Sequence, residues 1–135
     1  MSIKKFLLDT HCLLWFQNND PKIPVKVMNI IQDPANTIIF SQLSLFEIAI
    51  KQSLNKLPEF SSEVNEIYNQ GIKDNLTFLQ LQNHHLYRYL NVPLFAQHRD
   101  PFDRLLIATA YEEDAVVFTT DKNFSLYTGF IDVLW

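Results

Sequence analysis

The chain has 135 residues, of which 47% are hydrophobic and 19% charged, with a formal net charge of -4. One core burying roughly two-thirds of the unfolded surface is expected, and the apolar content excludes wholesale disorder. The 2 glycines leave little room for a phosphate-cradling loop, the single Cys12 cannot form an internal disulfide, and no Cys/His spacing suggests a zinc finger or redox motif.

The amino terminus carries Lys4 and Lys5 but reaches Asp9 after only Phe6, Leu7 and Leu8, too short a run for a signal-peptide core. No apolar run approaches the roughly 20 residues needed to span a bilayer, so a soluble protein with no membrane partner is expected, and the lone cysteine fits a reducing cytoplasm. Phe6–Leu8 reads as the first strand, with a helix starting near Thr10. Pro24, Val27, Met28 and Ile31 recur at helical spacing, with Pro24 suited to a first turn. A second strand, Thr37–Phe40, precedes a helical face of Phe46, Ala49, Ile50, Ser53, Leu54 and Leu57. Val64, Ile67, Tyr68 and Ile72 make a third such face. Leu76–Leu81 reads as a strand and Asn83–Leu90 as a helix. Asp100-Pro101-Phe102-Asp103 announces another helix, with Asp100 as N-cap and Pro101 at N1. Ala115–Thr119 and Ile131–Leu134 are the last strands. Strands alternating with helices predict an α/β fold with a parallel sheet. No linker, repeat or composition shift divides the chain, so residues 1–135 are read as a single domain.

The acids fall in a pattern on this frame. Asp9 follows the first strand, Glu47 lies in the first turn of the helix after the second, and Asp121 follows Ala115–Thr119. Asp103 opens the helix leading into that strand, and a helix in a right-handed crossover runs antiparallel to its strands. All four should approach the carboxyl edge of the sheet, where open α/β folds place their sites. Four carboxylates in one cleft repel one another unless a cation balances them. Oxygen ligands without a histidine or thiolate suit Mg²⁺ or Mn²⁺, which activate water and neutralise a leaving oxygen in phosphodiester hydrolysis. The charge of -4 argues against a broadly basic nucleic-acid-coating surface but not against such a cleft. Each acid also has a structural reading. Ser44-Leu45-Phe46-Glu47 resembles a capping box, and Glu47 could pair with Lys51. Asp103 could be an N3 partner of Asp100, Asp9 a cap, and Asp121 a turn residue. Their convergence on one edge favours the functional reading.

Four segments then carry a family resemblance: Leu7-Leu8-Asp9-Thr10-His11, Ser44 to Lys51, His98-Arg99-Asp100-Pro101-Phe102-Asp103-Arg104 to Ala108, and Phe118-Thr119-Thr120-Asp121. Together they resemble, in order, the acidic motifs of PIN-domain proteins, most closely the VapC-type toxins of bacterial toxin-antitoxin pairs, over effectively the whole chain. The resemblance implies a three-layer α/β/α fold with a central five-stranded parallel sheet, dependence on Mg²⁺ or Mn²⁺, cleavage of RNA, a small antitoxin whose tail blocks the site, and a homodimer. Asp9, Glu47 and Asp103 match the three acids of the family core, and Asp121 matches the less uniform fourth. Asp100 is an additional acid that could share the metal. Thr10 and Thr120 stand where a hydroxyl orients a carboxylate or water; many relatives carry a basic residue where this chain has Thr120.

Lys51, Arg99, Arg104 and Lys122 lie near these acids in sequence, as RNA-backbone contacts or as neutralising partners. His11, His84, His85 and His98 look too scattered for a metal site, and the adjacent His84 and His85 should point to different faces. Phe46, Tyr87, Tyr89, Phe95, Phe102 and Phe118 are expected in the core, and Trp15 and Phe16 are better interface candidates. A haloacid-dehalogenase phosphatase would need an acid at the position of His11. A receiver domain would need an Asp in Leu79-Gln80-Leu81-Gln82. The competing functions are a noncatalytic module that keeps the fold and a structure-specific DNA nuclease, since metal-activated water does not discriminate the sugar.

Overall fold

The structure, a computed structural model, describes residues 4–135; the start of the amino-terminal segment read as too short for a signal peptide, Met1–Ile3, lies outside them. Five strands, β1 (Lys5–Leu8), β2 (Thr37–Ser41), β3 (Thr77–Leu79), β4 (Val116–Phe118) and β5 (Val133–Leu134), form one sheet in the order β3-β2-β1-β4-β5. Every pairing is parallel. The helices are α1 (Thr10–Gln17), α2 (Val25–Gln32), α3 (Gln42–Ser53), α4 (Val64–Lys73), α5 (Asn83–Tyr89) and α6 (Pro101–Glu113), followed by a 3-10 helix over Lys122–Tyr127.

The sheet is covered on both sides, which explains its unbroken apolar strands. Successive residues of β1 feed two different cores. Phe6 and Leu8 pack with Leu13, Val27, Phe40, Ile48 and Ile67, whereas Leu7 packs with Ile39, Ile107, Val117, Phe124 and Tyr127. Strand period 2 thus divides one short sequence between the two outer layers, giving the expected three-layer α/β/α arrangement around the five-stranded parallel sheet. Among the described residues no helix is long and apolar enough to cross a membrane.

The strand order also locates the crevice. From β1 the chain moves outward through β2 to β3, then returns to the other side of β1 for β4 and β5. The reversal lies between β1 and β4, and ligands of open parallel sheets bind outside the carboxyl ends at such a point. Leu8 is in register with Phe118, and the Asp9 amide donates to the Phe118 carbonyl at 3.1 Å.

Some boundaries differ from those expected. The helix after β2 begins at Gln42, capped by Ser41, whose hydroxyl accepts from the Leu43 amide at 3.0 Å. Ser44 and Glu47 therefore lie within the helix, and the expected capping box between them does not exist. The same helix stops at Ser53, before Leu57, where Asn55 takes a left-handed φ of 55°; Leu57 is buried from the following loop. Pro24 is the N-cap of α2 rather than its first turn. The Asp121-Lys122 turn is the start of the 3-10 helix, with the Asp121 carboxylate accepting from the Asn123 amide at 2.9 Å.

Candidate active site

Asp9, Thr10, Glu47, Lys51, Asp100, Asp103, Thr120 and Asp121 all line one cleft of about 180 Å³ at the carboxyl ends of the strands. Asp9 leaves β1 directly and caps α1, accepting from the Cys12 amide at 2.7 Å. Asp103 enters from the first turn of α6, Asp121 from the end of the β4 connection, and Glu47 from the second turn of α3. The capping reading of Asp9 and the turn reading of Asp121 thus hold together with a place in the cleft.

Hydroxyls tie these acids to the frame. The Thr10 hydroxyl hydrogen-bonds Glu47 Oε1 and lies 3.0 Å from Ser44 Oγ. A hydroxyl has one proton and the carboxylate only accepts, so Thr10 donates to Glu47 and accepts from Ser44. Lys51 Nζ holds the other Glu47 oxygen at 3.0 Å. The buried Thr119 hydroxyl accepts the Asp121 amide at 3.0 Å and hydrogen-bonds Asp9. The carboxylate-orienting part expected of Thr120 is therefore played by its neighbour; Thr120 is exposed at the cleft. Ser44 and Thr119 escape sequence reasoning, although strand-end alternation alone would turn one of two adjacent threonines inward.

The cleft is electrostatically unbalanced. Asp9, Glu47, Asp100, Asp103 and Asp121 face the single lysine Lys51 across it. Burial pushes the Asp9 carboxyl above its ordinary range against the hydrogen bonds from Thr119 and Cys12, and Glu47 adds to the rise. Asp103 is pushed up to about 6, first by burial and then by Asp100 and Asp121, despite its hydrogen bond with His98. Converging oxygens with too little local positive charge fit a hard divalent cation, which would lower both carboxyls again.

Several expected neighbours are elsewhere. Arg104 is only 4% exposed. Its guanidinium donates to the carbonyls of Pro93 at 2.7 Å and Val92 at 3.3 Å and to the Tyr89 hydroxyl at 3.4 Å. It cannot contact an RNA backbone, because one step along α6 from Asp103 turns a side chain about 100° away. Arg99 and Lys122 are exposed but do not line the cleft. Trp15 and Phe16 pack against the core, whereas Phe46, expected inside, is 59% exposed beside Phe102. Tyr87 is likewise exposed.

The histidines also depart from expectation. His98 lies at the site, 3.0 Å from Asp103 Oδ2, and the donor atoms of His98, Asp103 and Asp121 lie within 4.8 Å of one another. His84 and His85 have ring centroids 4.2 Å apart and both reach Glu113. Their Cα–Cβ bonds diverge, but long rings converge on one acceptor from α6. This second cluster is not arranged for a cation. His85 Nδ1 accepts the Gln82 amide at 3.0 Å, so its proton sits on Nε2, which donates to Glu113 at 2.9 Å and has no lone pair left for a metal.

Asp100 is the N-cap, accepting from the amides of Phe102 at 2.8 Å and Asp103 at 3.1 Å. Asp100→Asn should leave the melting temperature nearly unchanged, because Asn caps as well as Asp, while Asp100→Ala should cost about 0.5 to 2 kcal/mol. Thermal melts of both variants check this, and equal losses in the two would show that charge, not capping, is what matters.

The family model of the PIN domain matches residues 6–129, and the chain belongs to the PIN-domain family. Solved structures of similar fold include VapBC2 from Rickettsia felis bound to a DNA fragment from their promoter, at 15% identity, a TM-score of 0.67, and coverage of 96% of this chain and 97% of that one. DNA-bound VapBC from Salmonella typhimurium matches at 18% identity and a TM-score of 0.66, covering 98% of each chain. FitAcB from Neisseria gonorrhoeae matches at 16% identity and a TM-score of 0.60, covering 96% of each chain. At these identities the likeness is one of fold. A sequence search of curated proteins finds no match.

Proposed function

We propose that this chain is an endoribonuclease dependent on Mg²⁺ or Mn²⁺ and the toxin of a toxin-antitoxin pair. The observation that carries the reading is the meeting of Asp9, Glu47, Asp103 and Asp121 in one cleft at the reversal point of the sheet. Asp9, Glu47, Asp103 and Asp121 would hold the cation, and Asp100, which also lines the cleft, could share it. When bound, the cation supplies an activated water and positive charge for the leaving oxygen. The chain's own part is orientation: Thr119 fixes Asp9, while Thr10 and Lys51 fix the two oxygens of Glu47. Lys51 is the basic group at hand for a substrate phosphate, whereas Arg99 and Lys122 could contact RNA only beyond the cleft.

The similar folds are named as VapBC and FitAcB, which supports an antitoxin partner. An acidic cleft would attract an arginine or lysine from such a partner. A single domain over residues 1–135, a homodimer and a cytoplasmic location complete the reading. Purified protein should cleave RNA with Mg²⁺ or Mn²⁺, lose all cleavage in excess chelator, and show no native activity with Zn²⁺ alone. Cleavage that survives chelation would remove the metal mechanism, and cleavage confined to DNA would replace the substrate. Coexpression with the antitoxin should relieve growth arrest.

A further inference from the structure

His98 opens the third motif segment without being one of its acids, and its ring is 5% exposed and engaged at both nitrogens. Nε2 lies 3.0 Å from Asp103 Oδ2, and Nδ1 lies 2.8 Å from the hydroxyl of Tyr127, itself 1% exposed. The rings are locked laterally as well: His98 meets Tyr127 edge-on at 5.5 Å and Phe124 at 6.1 Å, and Phe95 closes on Tyr127 at 5.1 Å. Two elements distant in sequence, the loop before α6 and the 3-10 helix, thereby grip one carboxylate oxygen.

The proton count fixes the direction of this chain. An ionised carboxylate only accepts, so Nε2 carries a proton and donates to Asp103 Oδ2. In the neutral ring Nδ1 then has a lone pair and accepts from the Tyr127 hydroxyl. We propose that His98, oriented by Tyr127, is a positioning residue that fixes Asp103 Oδ2 and turns Oδ1 toward a divalent cation. This rests on the metal reading above. The nearness of His98, Asp103 and Asp121 donor atoms offers a different assignment, in which Nε2 itself binds the ion. That assignment requires Nε2 to give up its proton and its bond to Asp103. Outer-shell partners of this kind fix the orientation of a ligand, and losing one costs about 10- to 100-fold in metal affinity or activity.

The test is Mn²⁺ binding, read by electron paramagnetic resonance on the whole chain without RNA. Wild type should bind Mn²⁺ with no directly coordinated nitrogen in the pulsed spectrum. His98→Leu should weaken binding about 10- to 100-fold, His98→Gln should recover most of that loss through its amide donor, and Tyr127→Phe should weaken binding in the same direction by a smaller factor. Unchanged affinity in His98→Leu overturns the proposal, as does an affinity in His98→Gln as poor as that of the leucine variant, or the hyperfine coupling of a ligated imidazole in wild type. If His98→Leu does not fold, Tyr127→Phe decides, and wild-type affinity there overturns the proposal. Wild type that binds no Mn²⁺ at all overturns the metal reading itself, an outcome separate from any difference among variants.

Discussion

Asp103→Asn is expected to abolish RNA cleavage while leaving the cation-free protein at least as stable as wild type near pH 7. The two effects come from the same carboxylate. In the cation-free fold it is a half-buried negative charge beside Asp100 and Asp121, and its carboxyl is pushed up to about 6 from an ordinary value of 3.8. A folded-state value above the unfolded one means that the native protein holds its proton more tightly. The associated stabilisation is complete below about pH 4 and lost as pH rises through about 6. Near neutral pH the ionised group therefore burdens the fold by roughly 2 to 3 kcal/mol at most. Asparagine removes that charge and keeps an oxygen to accept from His98.

The sign yields a pH experiment. The melting temperature of Asp103→Asn minus that of wild type, both in chelator, should be positive at pH 7 to 8 and shrink toward zero as pH falls through about 6. Adding Mg²⁺ should raise wild type and not the variant, since binding only to the native state stabilises it. An active Asp103→Asn would remove this acid from the chemistry. A variant less stable than wild type at every pH would show that the His98 hydrogen bond outweighs burial and like-charge repulsion.

The placement of the acids was legible because each sits beside an element boundary that local sequence marks. Asp9 ends a three-residue apolar run, Asp103 follows an Asp-Pro helix start, and Asp121 follows Val116-Val117-Phe118 and two threonines. The parallel order then brings those boundaries to one edge whatever the side chains are. Which way a side chain turns carries no such local mark. Phe46 satisfies helical spacing but projects on the side of α3 away from Leu45 and Ile48, beside Phe102. His98 is five residues from Asp103, a separation with no fixed geometry in a loop that leads into a helix. It is Tyr127, a contact between distant segments, that holds the ring against the acid. The 3-10 helix carrying Tyr127 is too short to announce itself: Phe124 and Tyr127, one turn apart, are its buried residues, with Leu126 partly buried beside them.

Arg104 is where adjacency in sequence misleads most, and its replacement should have the largest effect on stability. Arg104→Ala removes three donors from a buried pocket. It leaves the Val92 and Pro93 carbonyls without the guanidinium that now bonds them, and it opens space beside the Tyr89 ring, whose centroid lies 5.1 Å from the guanidinium carbon. An orphaned buried polar group costs about 1 to 3 kcal/mol, so two carbonyls, partly reached by water, set a loss of about 3 kcal/mol. For a chain of this size that lowers the melting temperature by on the order of 10 °C. Arg104→Lys should lose less, since an ammonium can reach one carbonyl but not span both as a planar fork does. The damage should be confined to the joint between the Val92-Pro93 segment and α6. At a temperature where Arg104→Ala is still folded, RNA cleavage should therefore keep a near-normal KM. An RNA contact would give the opposite pattern, an unchanged melting temperature with a raised KM. Melts and cleavage kinetics on the same three proteins separate the two, and the second pattern would return Arg104 to the substrate-binding surface.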